Sequence, residues 1–327
     1  MDSRPSTTMQ AIQLQNPNGT AALASKETPR PQPADDELLV RTHAAGVNPL
    51  DWLICDGHLR QLLDEPLPWI PGWDISGVVE SVGADVSGFE AGDTVYGMVR
   101  LPGAGGAFAE YATVKPHEVT SKPARLSHTE AAGVPMVGQT AFHALFEEAG
   151  VDADDRILIH AAAGGVGHMA VQFAADAGLR VIGTASERNE AYLRELGVDE
   201  FIDYRNQRFE DEIEPVDVVL DAVGGSVLER SAEVVRPGGV VVTLPEQPPE
   251  PLVETLQREY DAEISFFSVT DDAAPSTLQR VTERIDAGAV EPTIRNTYPL
   301  SEAQTALEKS ATGHVRGKLV LTVEKDE

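Results

Sequence analysis

The chain has 327 residues, 42% of them hydrophobic, with 53 acidic and 25 basic residues and a formal net charge of -28. This length exceeds what one small core organises and predicts two domains. The sequence has no basic patch that could bind a polyanion and release its counterions. The composition therefore excludes nucleic acid and anionic membranes as binding partners.

The sequence also excludes several other classes of protein. No run of about 18 apolar residues is present to span a membrane, and the N-terminal segment MDSRPSTTMQ lacks the apolar stretch of a signal peptide. The single cysteine, Cys55, excludes an internal disulfide framework and a multi-cysteine zinc site. These features predict a soluble cytoplasmic protein. The acidic residues repel one another, and salt near 1 M screens this repulsion because the Debye length there is about 3 Å. The charge therefore predicts a protein of a halophilic cytoplasm. An ordinary acidic protein is the alternative.

The first third of the chain alternates short apolar runs with turns rich in Pro, Gly and Asp. This spacing predicts a largely antiparallel, barrel-like domain. Its predicted strands are Met9–Gln15, Glu37–Thr42, Ile75–Val82, Thr94–Met98 and Ala109–Val114.

From Thr129 onward the pattern changes, and a helical stretch over Thr129–Ala149 precedes strands that alternate with helices. This alternation predicts βαβ units and a parallel sheet. The predicted strands are Arg156–His160, Arg180–Gly183, Phe201–Asp203, Val216–Leu220 and Gly239–Leu244.

The last segment contains predicted helices over Thr277–Ala287 and Ser301–Ser310 and a final strand over Lys318–Val323. We expect this tail to return to the first domain. The prediction is therefore one domain built from residues 1–128 and 269–327, and another from residues 129–268.

A glycine-rich turn follows the strand Arg156–His160, with the pattern Ala162-x-Gly164-x-x-Gly167 and then a helix. Strand, turn and helix in this order are typical of a dinucleotide-binding motif. Gly164 lets the backbone approach a pyrophosphate, and Gly167 lets the helix pack closely on its strand. The turn and helix N-terminus would then present backbone N–H groups to the phosphates; these residues are Ala163, Gly164, Gly165, Val166 and Gly167. A tight turn without a ligand is the alternative.

The second strand of this motif distinguishes NAD from NADP. An NAD site places an acidic residue at the tip of that strand, but here the strand ends at Ser186, and Arg188 follows two residues later. Tyr204 and Arg205 follow the third strand. A small hydroxyl residue and a cation suit a 2′-phosphate and predict NADP(H). Glu187 keeps the alternative open, since it can accept a ribose hydroxyl of NAD.

Seven motifs together resemble the medium-chain dehydrogenase/reductase superfamily, in particular its zinc-free quinone oxidoreductase branch, which includes zeta-crystallin. The resemblance extends from Met9 to Val323 and implies an α/β protein: a Rossmann-type doubly wound parallel sheet plus a GroES-like, mainly antiparallel β-barrel domain. The motifs are AAGVNPLDW (44–52), PGWDISGVVESVG (71–83), FEAGDTVYG (89–97), GGAFAEYATV (105–114), GQTAFHAL (138–145), HAAAGGVGHMAVQFA (160–174) and HVRGKLVL (314–321).

Zinc alcohol dehydrogenases of the same superfamily are the competing class. They carry a catalytic cysteine where this chain has Asn48 and a histidine where it has Trp73, and they usually carry a lobe with four cysteines that is missing here. The resemblance therefore implies no metal, and without that Lewis acid alcohol oxidation becomes the weaker interpretation.

The resemblance also implies roles for individual residues. It places Asn48 beside the nicotinamide ribose and the substrate; Asp51 is a candidate polar contact, with a helix cap as its alternative. Some members carry a tyrosine shortly after this segment, and this chain does not. Around the nicotinamide half it implies Thr140, Val223, Leu244, Phe267, Val269 and Lys318; around the adenosine phosphate it implies Ser186 and Tyr204.

The function implied is NADPH-dependent hydride transfer to a quinone or a related electrophilic carbonyl. Reduction of an activated double bond, as by enoyl reductases, is the first alternative, and a weakly catalytic NADPH-binding protein is the second. The partner expected is a small-molecule substrate, and the family's common assembly predicts a homodimer.

Overall fold

The structure is a computed structural model, and it describes residues 7–16, 18–58, 66–101, 103–269 and 275–323. The chain forms two compact units: the first comprises Met1–Met136, Ala274–Asp286 and Pro292–Glu327, the second Val137–Ala273 and Ala287–Glu291. The predicted domain boundary at 128/129 lies inside the helix His128–Ala132 of the first unit, in which Ala132 packs against Ala44 and Val320. Within the described residues, no helix is long and apolar enough to cross a membrane.

The strands are, in chain order, β1 (Thr8–Leu14), β2 (Leu23–Pro29), β3 (Leu38–Val47), β4 (Asp74–Val82), β5 (Thr94–Met98), β6 (Tyr111–Val114), β7 (Val119–Ser121), β8 (Arg156–Ile159), β9 (Arg180–Ala185), β10 (Glu200–Asp203), β11 (Val216–Asp221), β12 (Val235–Thr243), β13 (Glu263–Phe266), β14 (Ile294–Pro299) and β15 (Lys318–Thr322). The α-helices are α1 (Pro49–Cys55), α2 (His128–Ala132), α3 (Pro135–His143), α4 (Gly165–Asp176), α5 (Glu190–Leu196), α6 (Phe209–Glu212), α7 (Ser226–Ser231), α8 (Glu250–Thr255), α9 (Pro275–Asp286) and α10 (Ala303–Ala311).

The first unit contains a seven-stranded sheet in the order β14-β15-β3-β4-β5-β7, with β6 also paired to β3. Its pairs are antiparallel except for β14 and β15, which are parallel. β15 pairs with the second half of β3, so the C-terminal strand lies in the sheet of this unit. That pairing extends β3 to Val47, beyond the predicted end at Thr42, and brings Asn48 to the end of the strand.

The second unit contains a six-stranded sheet in the order β10-β9-β8-β11-β12-β13, in which all pairs are parallel. This confirms the predicted parallel sheet, and the order is that of a Rossmann fold, with β8 at its centre. Ile157, Leu158 and Ile159 of β8 are fully buried, as expected for a strand covered on both faces. The carboxyl ends of parallel strands meet at one edge, so the turns after β8 to β13 lie side by side.

Candidate active site

The glycine-rich turn lies between β8 and α4, at the centre of the carboxyl edge. A Cβ atom on Gly167 would lie 2.3 Å from the backbone oxygen of Ala161, so only glycine lets α4 pack this closely on the turn. Gly164 has an ordinary φ of -79°, and a Cβ there would meet only that same oxygen, at 3.1 Å. The N–H groups of the first turn of α4, from Gly165 to Gly167, have no acceptor within the helix. These features fit the pyrophosphate of a dinucleotide.

Two of the predicted adenosine-side residues lie at neighbouring strand ends. Ser186 follows β9 and is 6% exposed; its Oγ accepts a hydrogen bond from Asn189 Nδ2 at 3.2 Å. Tyr204 follows β10, is 50% exposed and donates its backbone N–H to Ala185 O at 3.3 Å. Arg188 and Glu187 both lie exposed in the turn after Ser186.

Val223, Leu244 and Phe267 occupy the ends of β11, β12 and β13 on the other side of the glycine turn. Asp221 connects the first two: its carboxylate accepts the N–H of Val223 at 2.9 Å, and its carbonyl accepts the N–H of Leu244 at 3.0 Å. Burial raises the pKa of this carboxyl group, while its backbone hydrogen bonds oppose that rise. Sequence reasoning missed Asp221, although a single acidic residue closing an apolar strand was the available signal.

Phe267, Thr140 and Val269 are buried, whereas Val223 is 49% exposed. Phe267 donates its N–H to Thr243 O at 3.1 Å, and its ring stacks on His143, with ring centroids 4.2 Å apart. Thr140, on α3, is 7% exposed, and Val269 is 8% exposed.

The first unit carries a buried charge cluster formed by Asn48, Asp51, Asp74 and Lys318. Lys318 Nζ donates to Asn48 Oδ1 at 2.5 Å and to Val47 O at 2.7 Å, and it lies 3.9 Å from Asp74 Oδ2. Asn48 Nδ2 donates to the same Asp74 oxygen at 2.9 Å. Asn48 therefore bridges the ammonium and the carboxylate.

The charges of this cluster do not balance, because two carboxylates face one ammonium. Burial raises the pKa of Asp51 to about 8, against the hydrogen bond from the Asn48 N–H. Burial also raises the pKa of Asp74 to about 6, while the charge of Lys318 opposes the rise. The same burial lowers the pKa of Lys318, and both carboxylates oppose that change. Burial thus favours the protonated form of both carboxyl groups.

Asp51 has the contacts of a helix cap, the alternative given above. Its Oδ2 accepts the backbone N–H of Asn48 at 2.6 Å at the start of α1, and its buried Oδ1 has no partner among the described residues. Asp74, which sequence reasoning missed, connects Asn48 to α3 by accepting the N–H of Met136 at 3.0 Å. An acidic residue inside the largely apolar segment Ile70–Val79 was its signal.

The Asp51→Asn variant is expected to remove a pH dependence of stability. A carboxyl pKa raised from 3.8 to about 8 means that the folded state binds the proton more tightly than the unfolded state. Its contribution to stability is complete below the unfolded pKa and is lost as pH rises through about 8, by up to about 1.4 kcal/mol per pH unit. Urea denaturation from pH 5 to 8.5 should show the wild type losing stability relative to the variant as pH rises. The exposed Asp85→Asn controls for the loss of one carboxylate; a constant difference between wild type and Asp51→Asn would contradict the prediction.

The two positions at which the alcohol dehydrogenases hold zinc ligands are occupied here by Asn48 and Trp73. Trp73 is fully buried and donates Nε1 to Gly103 O at 3.1 Å, and Asn48 is bonded to Lys318 as described. Among the described residues, no group of three or more His, Cys, Asp or Glu side chains could hold a metal ion.

Comparison with known proteins agrees with this architecture. Residues 34–124 match the family described as "Alcohol dehydrogenase GroES-like domain" and residues 196–321 match "Zinc-binding dehydrogenase". A chloroplast envelope quinone oxidoreductase homolog of Arabidopsis thaliana is 31% identical over 96% of this chain and 98% of its own. The chain belongs to the quinone oxidoreductase branch of the medium-chain dehydrogenase/reductase superfamily. It is an oxidoreductase.

Solved structures of the superfamily extend the comparison over the whole fold. A quinone oxidoreductase from Coxiella burnetii superposes with a TM-score of 0.90 and 35% identity, covering 97% of this chain and 100% of the other. A mycobacterial protein in complex with NADPH superposes with a TM-score of 0.86 and 25% identity, covering 96% and 100%. A protein with this fold therefore binds a pyridine nucleotide.

Proposed function

We propose that this oxidoreductase transfers hydride from NADPH to a quinone or a related electrophilic carbonyl, without zinc. The observation that carries the proposal is the carboxyl edge of the six-stranded sheet, where the glycine-rich turn at the head of α4 offers backbone N–H groups to a pyrophosphate. The quinone oxidoreductases to which the chain is similar support the class of acceptor.

In this proposal each side of the edge holds one half of the cofactor. The Ser186–Tyr204 side takes the adenosine phosphate; the turn from Ala163 to Gly167 takes the pyrophosphate. The nicotinamide half lies toward the ends of β11, β12 and β13, with Val223, Leu244, Phe267 and Val269, and with Thr140 on α3. The bound cofactor supplies the hydride, and the reduced quinone oxygen takes its proton from solvent.

Zinc independence is proposed from the donor set of the first unit. Lys318 Nζ bonds to Asn48 Oδ1 and Val47 O, so a cation already occupies the donors that a metal would need. Asn48 offers a neutral amide where a zinc site offers a thiolate. Asn48, Asp51 and Lys318 are accordingly proposed as an ordered, metal-free boundary of the reaction site. Dialysis against a chelator should leave turnover unchanged.

The assay that tests the function compares two cofactors and two acceptors in roughly 2–3 M KCl, which screens the acidic surface. NADPH oxidation in the presence of a quinone, with quinol as the product, is the expected result. Turnover of a conjugated enone alone would replace the proposal with the enoyl reductase function. Tight NADPH binding without turnover of either acceptor would replace it with the binding function.

The preference for NADPH over NADH is proposed to depend on Arg188, with Ser186 and Tyr204 beside it. The Arg188→Ala variant should raise KM for NADPH about tenfold and leave KM for NADH nearly unchanged, because only NADPH carries the 2′-phosphate that a guanidinium binds. The exposed Arg180→Ala, at the opposite end of the same strand, is the matched control for the loss of one positive charge. An unchanged KM for NADPH, or faster turnover with NADH in the wild type, would assign the ribose to Glu187.

We further propose a homodimer in a halophilic cytoplasm. β13 ends the six-stranded sheet, and its outer edge suits pairing with the same strand of a second copy. The charge of -28 is better tolerated in concentrated salt. Sedimentation in concentrated KCl should give twice the mass of 35.0 kDa, and dilution of the salt should lower the melting temperature.

A further inference from the structure

A side-chain network of the second unit links the helix that carries Thr140 to the end of β13. It is formed by His143, Glu148, Ser265 and Phe267. His143 Nε2 lies 3.4 Å from Glu148 Oε1, and the Ser265 hydroxyl donates to the other oxygen of the same carboxylate. The His143 ring stacks on the Phe267 ring, with an interplanar angle of 9° and centroids 4.2 Å apart. Helix and strand end are therefore joined at two points.

An uncommon helical turn brings His143 and Glu148 together. α3 ends at His143, and the next turn, Ala144–Glu148, is π-helical: the Ala149 N–H donates to Ala144 O at 3.1 Å, five residues back. In a regular α-helix, residues five apart point about 140° away from each other, so His143 and Glu148 would diverge. Single turns of this kind within helices occur frequently at functional sites. Here the turn lets both side chains contact the same strand.

Ser265 and Phe267 lie where β13 reaches the carboxyl edge of the sheet. Two residues apart on extended chain, they project to the same face, which is the face that the network covers. The Phe267 N–H donates to Thr243 O at 3.1 Å and so extends the pairing with β12 by one residue. The chain then continues to Val269, which the proposed function assigns to the nicotinamide half. The position of Phe267 therefore sets where this continuation begins.

The network joins two residues proposed for the nicotinamide half of the cofactor. Thr140 lies three residues before His143 on α3, so their side chains share a face of the helix. Phe267 is 5% exposed and the His143 side chain 11% exposed, so a packed contact holds the helix to the strand end. Displacing a group that positions a substrate by about 1 Å can slow a reaction about 100-fold. Loss of the His143 ring should therefore disturb the nicotinamide half and spare the adenosine half, which the ends of β9 and β10 hold.

We propose that His143 is a positioning residue for the nicotinamide half of the cofactor, because it holds Phe267 and the chain beyond it against the helix of Thr140. This role rests on the proposed function, since it requires a nicotinamide at the carboxyl edge of the sheet.

The test is calorimetric titration of the full-length protein with NADPH and with 2′-phospho-ADP-ribose, which is the same molecule without its nicotinamide ring. The ratio of the two dissociation constants measures the contribution of the nicotinamide. We expect the wild type to bind NADPH more tightly than the fragment. His143→Ala should weaken NADPH binding about tenfold, because the stack on Phe267 is lost, and should leave the affinity for the fragment unchanged.

Three further variants complete the experiment. His143→Phe keeps a flat ring against Phe267 and should retain the wild-type ratio. Leu193→Ala removes a fully buried side chain from α5 of the same unit, so it should lower the melting temperature and leave the ratio unchanged. Should His143→Ala fail to fold, His143→Leu takes its place, since it fills similar space without a flat ring.

The outcomes separate this role from the function on which it rests. A wild-type ratio in the folded His143→Ala or His143→Leu, or the same loss in His143→Phe, would overturn the role of His143 and leave the proposed function standing. An equal change of the ratio in Leu193→Ala would also overturn it, because general destabilisation would then explain the effect. A wild type that binds the two ligands equally tightly, or binds neither, would contradict the proposed cofactor site itself.

Discussion

Replacing Lys318 with methionine should lower the free energy of unfolding by about 3–5 kcal/mol, the cost of removing one partner from a buried ion pair. The ammonium is 3% exposed, and its loss leaves Asp74, fully buried, without a cation. It also leaves Asn48 Oδ1 without its donor. Denaturant unfolding of the cofactor-free protein measures the effect independently of any role in turnover.

The double variant Lys318→Met with Asp74→Asn separates charge from packing. With the lysine gone, the Asn48 amide is free to turn its oxygen toward a new amide at position 74, and the charge of Asp74 is removed together with that of its cation. The double variant should therefore recover at least half of the stability lost by Lys318→Met. If the stability losses of the two single variants simply add in the double variant, the coupling between Lys318 and Asp74 is contradicted.

The two glycines of the nucleotide turn should respond differently to alanine. Gly167→Ala puts a Cβ atom 2.3 Å from Ala161 O and 2.7 Å from Ala162 Cα, so it should lower stability by about 1–3 kcal/mol or more. Gly164→Ala meets its nearest atom at 3.1 Å with an allowed φ, so its melting temperature should change little. NADPH binding should nevertheless weaken about tenfold, or about 1.4 kcal/mol, because the methyl group would lie where the pyrophosphate is proposed to bind.

Each glycine variant serves as the control for the other. Thermal melting without cofactor measures the packing effect, and NADPH titration measures the binding effect. Equal losses of stability would contradict the packing role assigned to Gly167. Unchanged NADPH affinity in Gly164→Ala would contradict the proposed position of the pyrophosphate.

Local patterns explain why much of the fold was predictable. The strands β5, β8 and β11 are apolar runs closed by turn residues, and their buried positions follow from composition alone. β14 was missed because Ile294–Pro299 has the sequence IRNTYP, which is largely polar and exposed; its identity as a strand comes from pairing with β15.

The candidate site likewise contains features that local sequence predicts and residues that it does not. The glycine turn could be found because consecutive residues create it, and a close helix approach requires glycine at a fixed spacing. Asp74 was missed because its partners, Lys318 and Met136, lie far away in sequence. Only the packed fold brings Asp74 Oδ2 to 3.9 Å from Lys318 Nζ and Asp74 Oδ1 to 3.0 Å from the Met136 nitrogen.

The sequence by itself determined the class of fold, the parallel sheet, the glycine-rich turn and the acidic composition, because each depends on local order or on composition. The tertiary structure decided which charges are buried together. Their burial depends on distant segments meeting, namely β3, β4 and β15 around Lys318. Desolvation acts only after those segments have packed, so its effects on pKa and on binding emerge with the fold.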